Sequence, residues 1–185
     1  MRVTREQMSA NRARILKEAG RLFRERGFAP VTIADVMKAA GQTHGGFYGH
    51  FASKDALIAA VIAEAMPVDA FGPEDLAAWI DAYLSPTHRD APAHGCPTAS
   101  LAGLMRDQSQ AAREAMANGL EAQIARMARA APRGSKAGRR RTAIGQWSAM
   151  VGALVMARAI GDAPLSDEIL SETKNWLRDR TPSPT

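Results

Sequence analysis

Three groups of residues in this sequence have types and spacing that could do chemistry. The first is the stretch S-P-T-H-R-D-A-P-A-H-G-C-P at 85–97, which holds the one cysteine of the chain, Cys96. Asp90, His94 and Cys96 are carboxylate, imidazole and thiol donors of the kinds that bind zinc, but their spacing matches no standard set. A reactive thiol is a second reading. Pro97 suits the first turn of a helix, which puts Cys96 at the N-cap, where free amides favour a thiolate. A buried structural cysteine is the third. A single cysteine excludes an internal disulfide framework and a cysteine-based zinc finger. An enzyme would need a convergent nucleophile, acid–base pair or metal set. His94 and Cys96 are the only adjacent candidates, and no glycine loop of the oxyanion type accompanies them. Neither catalysis, nor a resident metal, nor a cofactor is expected.

The second group lies where the charge lies. Residues 1–60 hold ten Lys and Arg against five Asp and Glu, whereas 61–185 hold fourteen of each, so the whole net charge of +5 sits in the first third. A small basic module joined to a larger neutral one points to a polyanion met only by the N-terminal part. Within it, residues 32–51 read T-I-A-D-V-M-K-A-A-G-Q-T-H-G-G-F-Y-G-H-F. Two short capped helices separated by a glycine turn have the layout of a helix-turn-helix. In that layout the first helix braces on the DNA backbone, and the second enters the major groove, where each base pair shows a distinct pattern of donors and acceptors. Gly41 allows the turn, and Ala34, Ala39 and Ala40 allow close helix packing.

This run, continued as A-S-K-D-A-L to Leu57 and preceded by the A…LF…GF pattern of 19–28, resembles the TetR family of transcriptional regulators. The resemblance covers roughly residues 10–60. It implies a role for each matching position. Thr32 would meet a phosphate through its amide and hydroxyl. Thr43 and His44 would reach base edges or phosphates. Tyr48 and His50 would contact the backbone, and Lys54 a phosphate. Phe47 and Phe51 would pack inside. Gly45, Gly46 and Gly49 cost a short helix about 2–3 kcal/mol relative to Ala and leave few side chains for base readout. Close approach of the protein backbone, with readout partly through DNA shape, is the expectation there. The resemblance also implies an all-α fold with a three-helix DNA-binding domain at 1–60 and a helical ligand-binding and dimerisation domain at 61–180. Its implied partners are double-stranded operator DNA, a second copy of the chain and a small-molecule effector. The implied activity is that of a repressor released from a palindromic operator by a small apolar or electrophilic ligand.

The elements that must position these residues are helical by composition. Ala alone supplies 37 residues, Val and Ile together only 16, and aromatics 5 %. That balance favours helices over a β-sandwich or barrel. Caps and breakers predict helices from about Ala10, capped by Ser9, to Gly27; at 33–40 behind Thr32; at 43–51; and at 54–66 behind Ser53. Further helices are expected at 73–84, 98–105, 108–130 and 143–160, and a last one behind Ser166, with 85–97 as a loop and 181–185 as a disordered tail. The third group of residues belongs here. Trp79, Tyr83, Cys96, Leu101, Met105, Met116, Leu120 and Ile124 are the candidate lining of a ligand pocket. Ile144, Trp147, Val151, Leu154 and Val155, with Ile169 and Trp176 of the last helix, are the candidate dimer seam. The stretch 143–161 is long enough to span a bilayer, but Gln146, Ser148 and Arg158 are costly there, so a buried helix is the reading and no membrane partner is expected. The first twenty residues contain no apolar signal core, which predicts a cytoplasmic protein.

Overall fold

A computed structural model describes residues 4–66, 76–130 and 134–179. The expected helix start at 73 and the tail at 181–185 lie outside the described residues. Among those described, every regular element is helical.

Helix α1 (Arg5–Arg26) begins at Thr4, whose hydroxyl accepts from the Gln7 amide at 3.2 Å. It therefore starts before Ser9, which sits inside the helix rather than capping it. Ile15, Leu16, Ala19, Leu22 and Phe23 form its buried face. Gly27 ends it at φ +79°, a conformation that favours glycine. Helix α2 (Ile33–Ala39) opens with a reciprocal cap. The Thr32 hydroxyl accepts from the Asp35 amide, and the Asp35 carboxylate accepts from the Thr32 amide. Gly41, at φ +66°, then turns the chain. The next segment, His44–Gly49, is a 3₁₀ turn rather than an α-helix, and the Thr43 side chain caps nothing. Three glycines in six residues supply little of the propensity an α-helix needs. What fixes this turn is Phe47, fully buried beside Phe51 with ring centroids 5.8 Å apart. Helix α3 (Lys54–Ala65) follows, with the Ser53 hydroxyl accepting from the Ala56 amide.

The rest of the chain forms α4 (Leu76–Tyr83), α5 (Pro86–Asp90), a 3₁₀ turn (Pro92–His94), α6 (Pro97–Leu101), a second 3₁₀ turn (Ala102–Asp107), α7 (Gln110–Ala130), α8 (Lys136–Ile160) and α9 (Pro164–Arg178). The stretch expected as a loop at 85–97 is thus mostly short helical turns. Its prolines stand at first helical positions, where the missing amide hydrogen costs nothing. Helix α8 starts at Lys136, seven residues ahead of expectation, because Ser135 caps it at the Gly138 amide. Ser166 is not the cap of α9. It is fully buried, donates to the Ala157 carbonyl at 3.1 Å and accepts from Arg89 Nη1 at 2.9 Å. Arg89 also binds the carboxylates of Asp90 and Asp167, so one buried guanidinium ties α5 to α9.

Two apolar clusters hold these helices. One joins α1, α2, the 44–49 turn and α3 to Leu101, Met105, Ala112 and Met116. The other gathers Ile80, Tyr83, Leu84, Met127, Trp147, Met150, Leu154, Leu170 and Leu177. Helix α8 is long and apolar enough to cross a membrane by length and composition, but Ala143, Trp147, Met150, Ala153, Leu154 and Ala157 are buried in the packed interior. Helices α3 and α7 approach each other tightly. A Cβ on Gly119 would lie 2.5 Å from Met66 Cβ, a backbone-proximal atom that cannot swing aside. Gly119→Ala is therefore expected to force the two helices apart at a cost of about 1–3 kcal/mol, read as a lower urea midpoint at unchanged slope.

Candidate functional site

The turn at 44–49 presents a continuous surface. Thr43, His44, Gly45, Gly46 and Tyr48 are exposed, Tyr48 by 64 %, and His50 is half-buried. Phe47 lies beneath them, edge-on to Tyr48. A Cβ added at Gly45 or Gly49 would meet no atom within 4 Å, and one at Gly46 would make ordinary contact with Thr43 and Met37. None of the three glycines has a positive φ. Neither packing nor backbone conformation within the chain demands glycine there.

Thr32 and Lys54 are engaged differently from expectation. The Thr32 amide and hydroxyl both donate to the Asp35 carboxylate, at 2.9 and 2.6 Å, and the hydroxyl bond is the first cause holding that carboxyl below its ordinary pKa. Lys54 Nζ donates to the Phe28 carbonyl at 2.6 Å and reaches that of Ala29 at 3.4 Å. Two residues the sequence reading missed border the turn. Arg12 lies 4.8 Å from the Phe51 ring centroid, and Gln42 donates to Asn11 at 3.3 Å. Only their place in the basic module pointed to them.

A second site lies in the other part of the molecule. A cavity of about 380 Å³ is walled by the end of α3, by α4, by the 85–97 strap with Thr98 beyond it, and by α7 and α8. Trp79 and Trp147 stack on each other in its wall at 5.7 Å and 20°, with Tyr83 edge-on to Trp147 at 5.4 Å. Of the expected pocket residues, Trp79, Tyr83 and Cys96 line it. Leu101, Met105 and Met116 do not. They complete the core around α1 and α3. Leu120 packs against both apolar clusters and Ile124 against the second, and neither lines the cavity. Trp147, expected in a dimer seam, is a cavity wall.

The strap is held by three helices. His88 Nδ1 donates to the Tyr83 carbonyl at 2.8 Å, while its Nε2 accepts from the Cys96 amide at 3.0 Å. That pair of bonds requires the neutral ring. Arg158 donates to the His88 and Arg89 carbonyls and to Ser100 Oγ. Arg24 of α1 donates to the Ala93 carbonyl at 2.8 Å. A Cβ at Gly95 would lie 2.7 Å from Arg158 Nη2 and 2.8 Å from His88 Nε2, so only glycine fits. Cys96, half-buried, is the residue before α6, as expected, and makes no side-chain cap bond. Asp90 is turned away onto Arg89, and no three His, Cys, Asp or Glu side chains among the described residues are grouped to hold a metal ion.

The expected seam residues divide into three sets by burial. Leu154 is fully buried and Trp147 nearly so, both inside the protomer. Val151 and Ile169 are half-buried, and Ile144, Val155 and Trp176 are exposed. Met156, Ile160 and Leu165, which the periodicity did not single out, are exposed beside them.

The neutral His88 makes stability depend on pH. Burial is the main cause of its lowered pKa, and Arg158 lowers it further. In the unfolded chain the ring takes up a proton near its ordinary value of 6.5, so below that pH the unfolded state binds more protons than the folded one. Stability is expected to fall as pH drops from 7 towards 5. Urea midpoints at pH 7 and 5.5 should differ less in His88→Gln than in the unaltered chain.

Residues 15–61 match the sequence model of bacterial regulatory proteins, tetR family. Over 62 residues the chain is 40 % identical to the HTH-type transcriptional regulator TtgR of Pseudomonas putida, covering 34 % of this chain and 30 % of TtgR. Over 51 residues it is 43 % identical to YerO of Bacillus subtilis, an uncharacterized HTH-type transcriptional regulator, covering 28 % of this chain and 18 % of YerO. The matched segment thus spans less than a third of these curated relatives. The fold likeness is wider. The reduced form of Escherichia coli NemR superposes with a TM-score of 0.75 at 21 % identity, over 94 % of this chain and 99 % of that one. A TetR-family transcriptional regulator from Agrobacterium tumefaciens gives 0.75 at 19 % identity, over 95 % and 100 %. Residues 15–61 thus match the tetR family of bacterial regulatory proteins in sequence, and nearly the whole chain shares the fold of solved TetR-family regulators.

Proposed function

We propose that the protein is a homodimeric repressor that holds a near-palindromic operator through residues 43–50 and releases it when a small apolar or electrophilic molecule enters the cavity beside Cys96. The observation that carries this reading is the pair Gly45 and Gly49, exposed on the basic module and unexplained by any contact within the chain. Bare backbone at the tip of a turn lets a DNA backbone or groove wall approach more closely than any side chain permits. His44 and Thr43 stand beside it for base edges, with Tyr48 and His50 for phosphates. Thr32 and Lys54 would reach phosphate by exchanging their intramolecular partners, Asp35 and the Phe28 carbonyl.

Residues 1–60 serve as the DNA-binding domain in this reading, and 61–180 as the effector and dimerisation domain. Two recognition turns about 34 Å apart would fit successive major grooves on one face of DNA. The exposed apolar side chains Ile144, Val155, Met156 and Ile160 of α8, with Leu165 and Trp176 of α9, are the candidate dimer face. Helix α3 connects the two functions, starting beside the recognition turn and ending at Ala65 in the cavity wall. A molecule that prefers a cavity shape incompatible with the DNA-bound spacing shifts the population off DNA. The half-buried Cys96 thiol on the same wall is the group an electrophile would meet. The site of action is the cytoplasm, where operator DNA lies.

Footprinting on the promoter of its own gene tests the DNA reading. Gly45→Ala is expected to leave the denaturation midpoint equal or higher, since the added methyl meets nothing, and to weaken operator binding at least about tenfold. Full retention of DNA affinity would overturn the reading. For the dimer face, Val155→Glu is expected to give a folded monomer in sedimentation that no longer holds operator DNA. Leu154→Glu, by contrast, buries a charge inside the protomer and should unfold it.

A further inference from the structure

Tyr83 Oη, Thr98 Oγ1 and Trp147 Nε1 are buried polar atoms of residues that line this one cavity; the last two have no hydrogen-bond partner, and the first has only the weakly accepting Cys96 thiol beside it. These residues are only 6, 6 and 7 % exposed. Buried polar groups are ordinarily satisfied, as Arg89 and Ser166 are here. The clustering is therefore a chemical statement about what the cavity takes. The indole Nε1–H is a donor only, so its partner must be an acceptor. The Tyr83 hydroxyl stays protonated, because burial, and after it the neighbouring Cys96, push its pKa far up. It too has a proton to give. The Thr98 hydroxyl can donate or accept.

The remaining walls narrow the class further. Trp79, Trp147 and Tyr83 supply flat aromatic faces, which favour a planar partner. No Asp or Glu appears among the described lining residues to receive an ammonium group, and the buried Trp147 donor offers it no acceptor in their place. Such a wall disfavours a cation. The volume of about 380 Å³ lies at the lower end of the roughly 300–1,000 Å³ range of small-molecule sites. It suits one or two fused rings.

We infer that the cavity binds a planar, non-cationic aromatic molecule bearing an oxygen acceptor, with Trp147, Tyr83 and Thr98 as the groups that select for that oxygen. This rests on the cavity being the effector site, and it specifies the effector by hydrogen-bonding class rather than by apolarity or reactivity. Binding needs no covalent step at Cys96. The aromatic walls offer the ring a flat surface, and the donors discriminate among molecules of the same shape.

Three probes of matched shape test it by calorimetry on the full chain without DNA: α-tetralone, which carries a carbonyl; tetralin, which carries no acceptor; and α-aminotetralin, a cation at neutral pH. The expected order is α-tetralone about tenfold tighter than tetralin, the difference one neutral hydrogen bond in a buried site can make, with no binding of the cation. Trp147→Phe keeps the ring and removes the donor, and Thr98→Val keeps the shape and removes the hydroxyl. Each should bring the two affinities closer together. Equal binding of ketone and hydrocarbon, preference for the cation, a ratio that survives in both variants, or no binding of any probe would overturn the inference. Operator affinity of the ligand-free protein, measured in parallel, separates the two readings. DNA binding with a flat probe order removes the ligand class and leaves the regulator. A steep probe order without DNA binding does the reverse.

Discussion

Met66 sits where Gly119 has no side chain, and that contact sets the relation between the two parts of the molecule. Helix α3 closes the N-terminal core with Leu57, Ile58, Val61 and Ile62 on one side. At its far end Ala65 and Met66 form cavity wall. A helix of 12 residues is about 18 Å long and does not compress. A displacement at the cavity end must therefore be taken up at the Ser53 end, two residues from Phe51, or by sliding over α7. The packing leaves little room for sliding, because Leu101, Met105, Ala112 and Met116 from beyond residue 60 complete the same core. The boundary drawn at residue 60 divides roles in the proposed function but not the apolar interior.

The 85–97 strap shows how polar chemistry, not apolar burial, builds the opposite wall. Its backbone is pinned by Arg24 from α1 and Arg158 from α8, and by the ring of His88. Both arginines have their pKa lowered, with burial the first cause, and the carbonyls they reach compensate part of that desolvation. His88 is held neutral, its pKa lowered from the ordinary imidazole value first by burial. Its ring must accept from the Cys96 amide and donate to the Tyr83 carbonyl at once, which fixes both its charge and its tautomer. Gly95 is required by the same crowding. The position of Cys96 on the cavity is thus a consequence of bonds made by its neighbours.

What was legible in the sequence was local. Thr32 and Ser53 as caps, and Gly27 and Gly41 as breaks, follow from short-range chemistry that does not depend on the rest of the chain. Thr4 and Ser9 are equally good caps on paper, and residues 4–10 are all exposed, so packing does not choose between them; the helix start is marked by the Gln7 amide donating to the Thr4 hydroxyl. Which face of a helix looks inward was less legible. Helix α8 is apolar around most of its circumference, so periodicity cannot tell Trp147 and Leu154, which face the protomer interior, from Ile144 and Val155, which face out. The same ambiguity put Met116 in the pocket when α7 turns it to α3. The engagement of Lys54 with the Phe28 carbonyl depends on a fold contact 26 residues away in sequence, which no motif encodes.

The 44–49 turn is the place where local propensity and structure disagree most. Three glycines weaken any helix there by about 2–3 kcal/mol relative to Ala, and the chain forms a 3₁₀ turn instead. At Gly45 and Gly49 the space for a side chain is empty, so nothing inside the protein offsets that cost. The turn nevertheless keeps its place, because Phe47 is locked between Phe51 and the helices below. A buried anchor beneath an unfilled, exposed backbone surface separates two tasks that one side chain cannot do together. The ring fixes where the turn sits, and the glycines set how near another backbone can come. In the proposed complex, readout by shape follows from this division, since the groove wall meets peptide groups before it meets side chains.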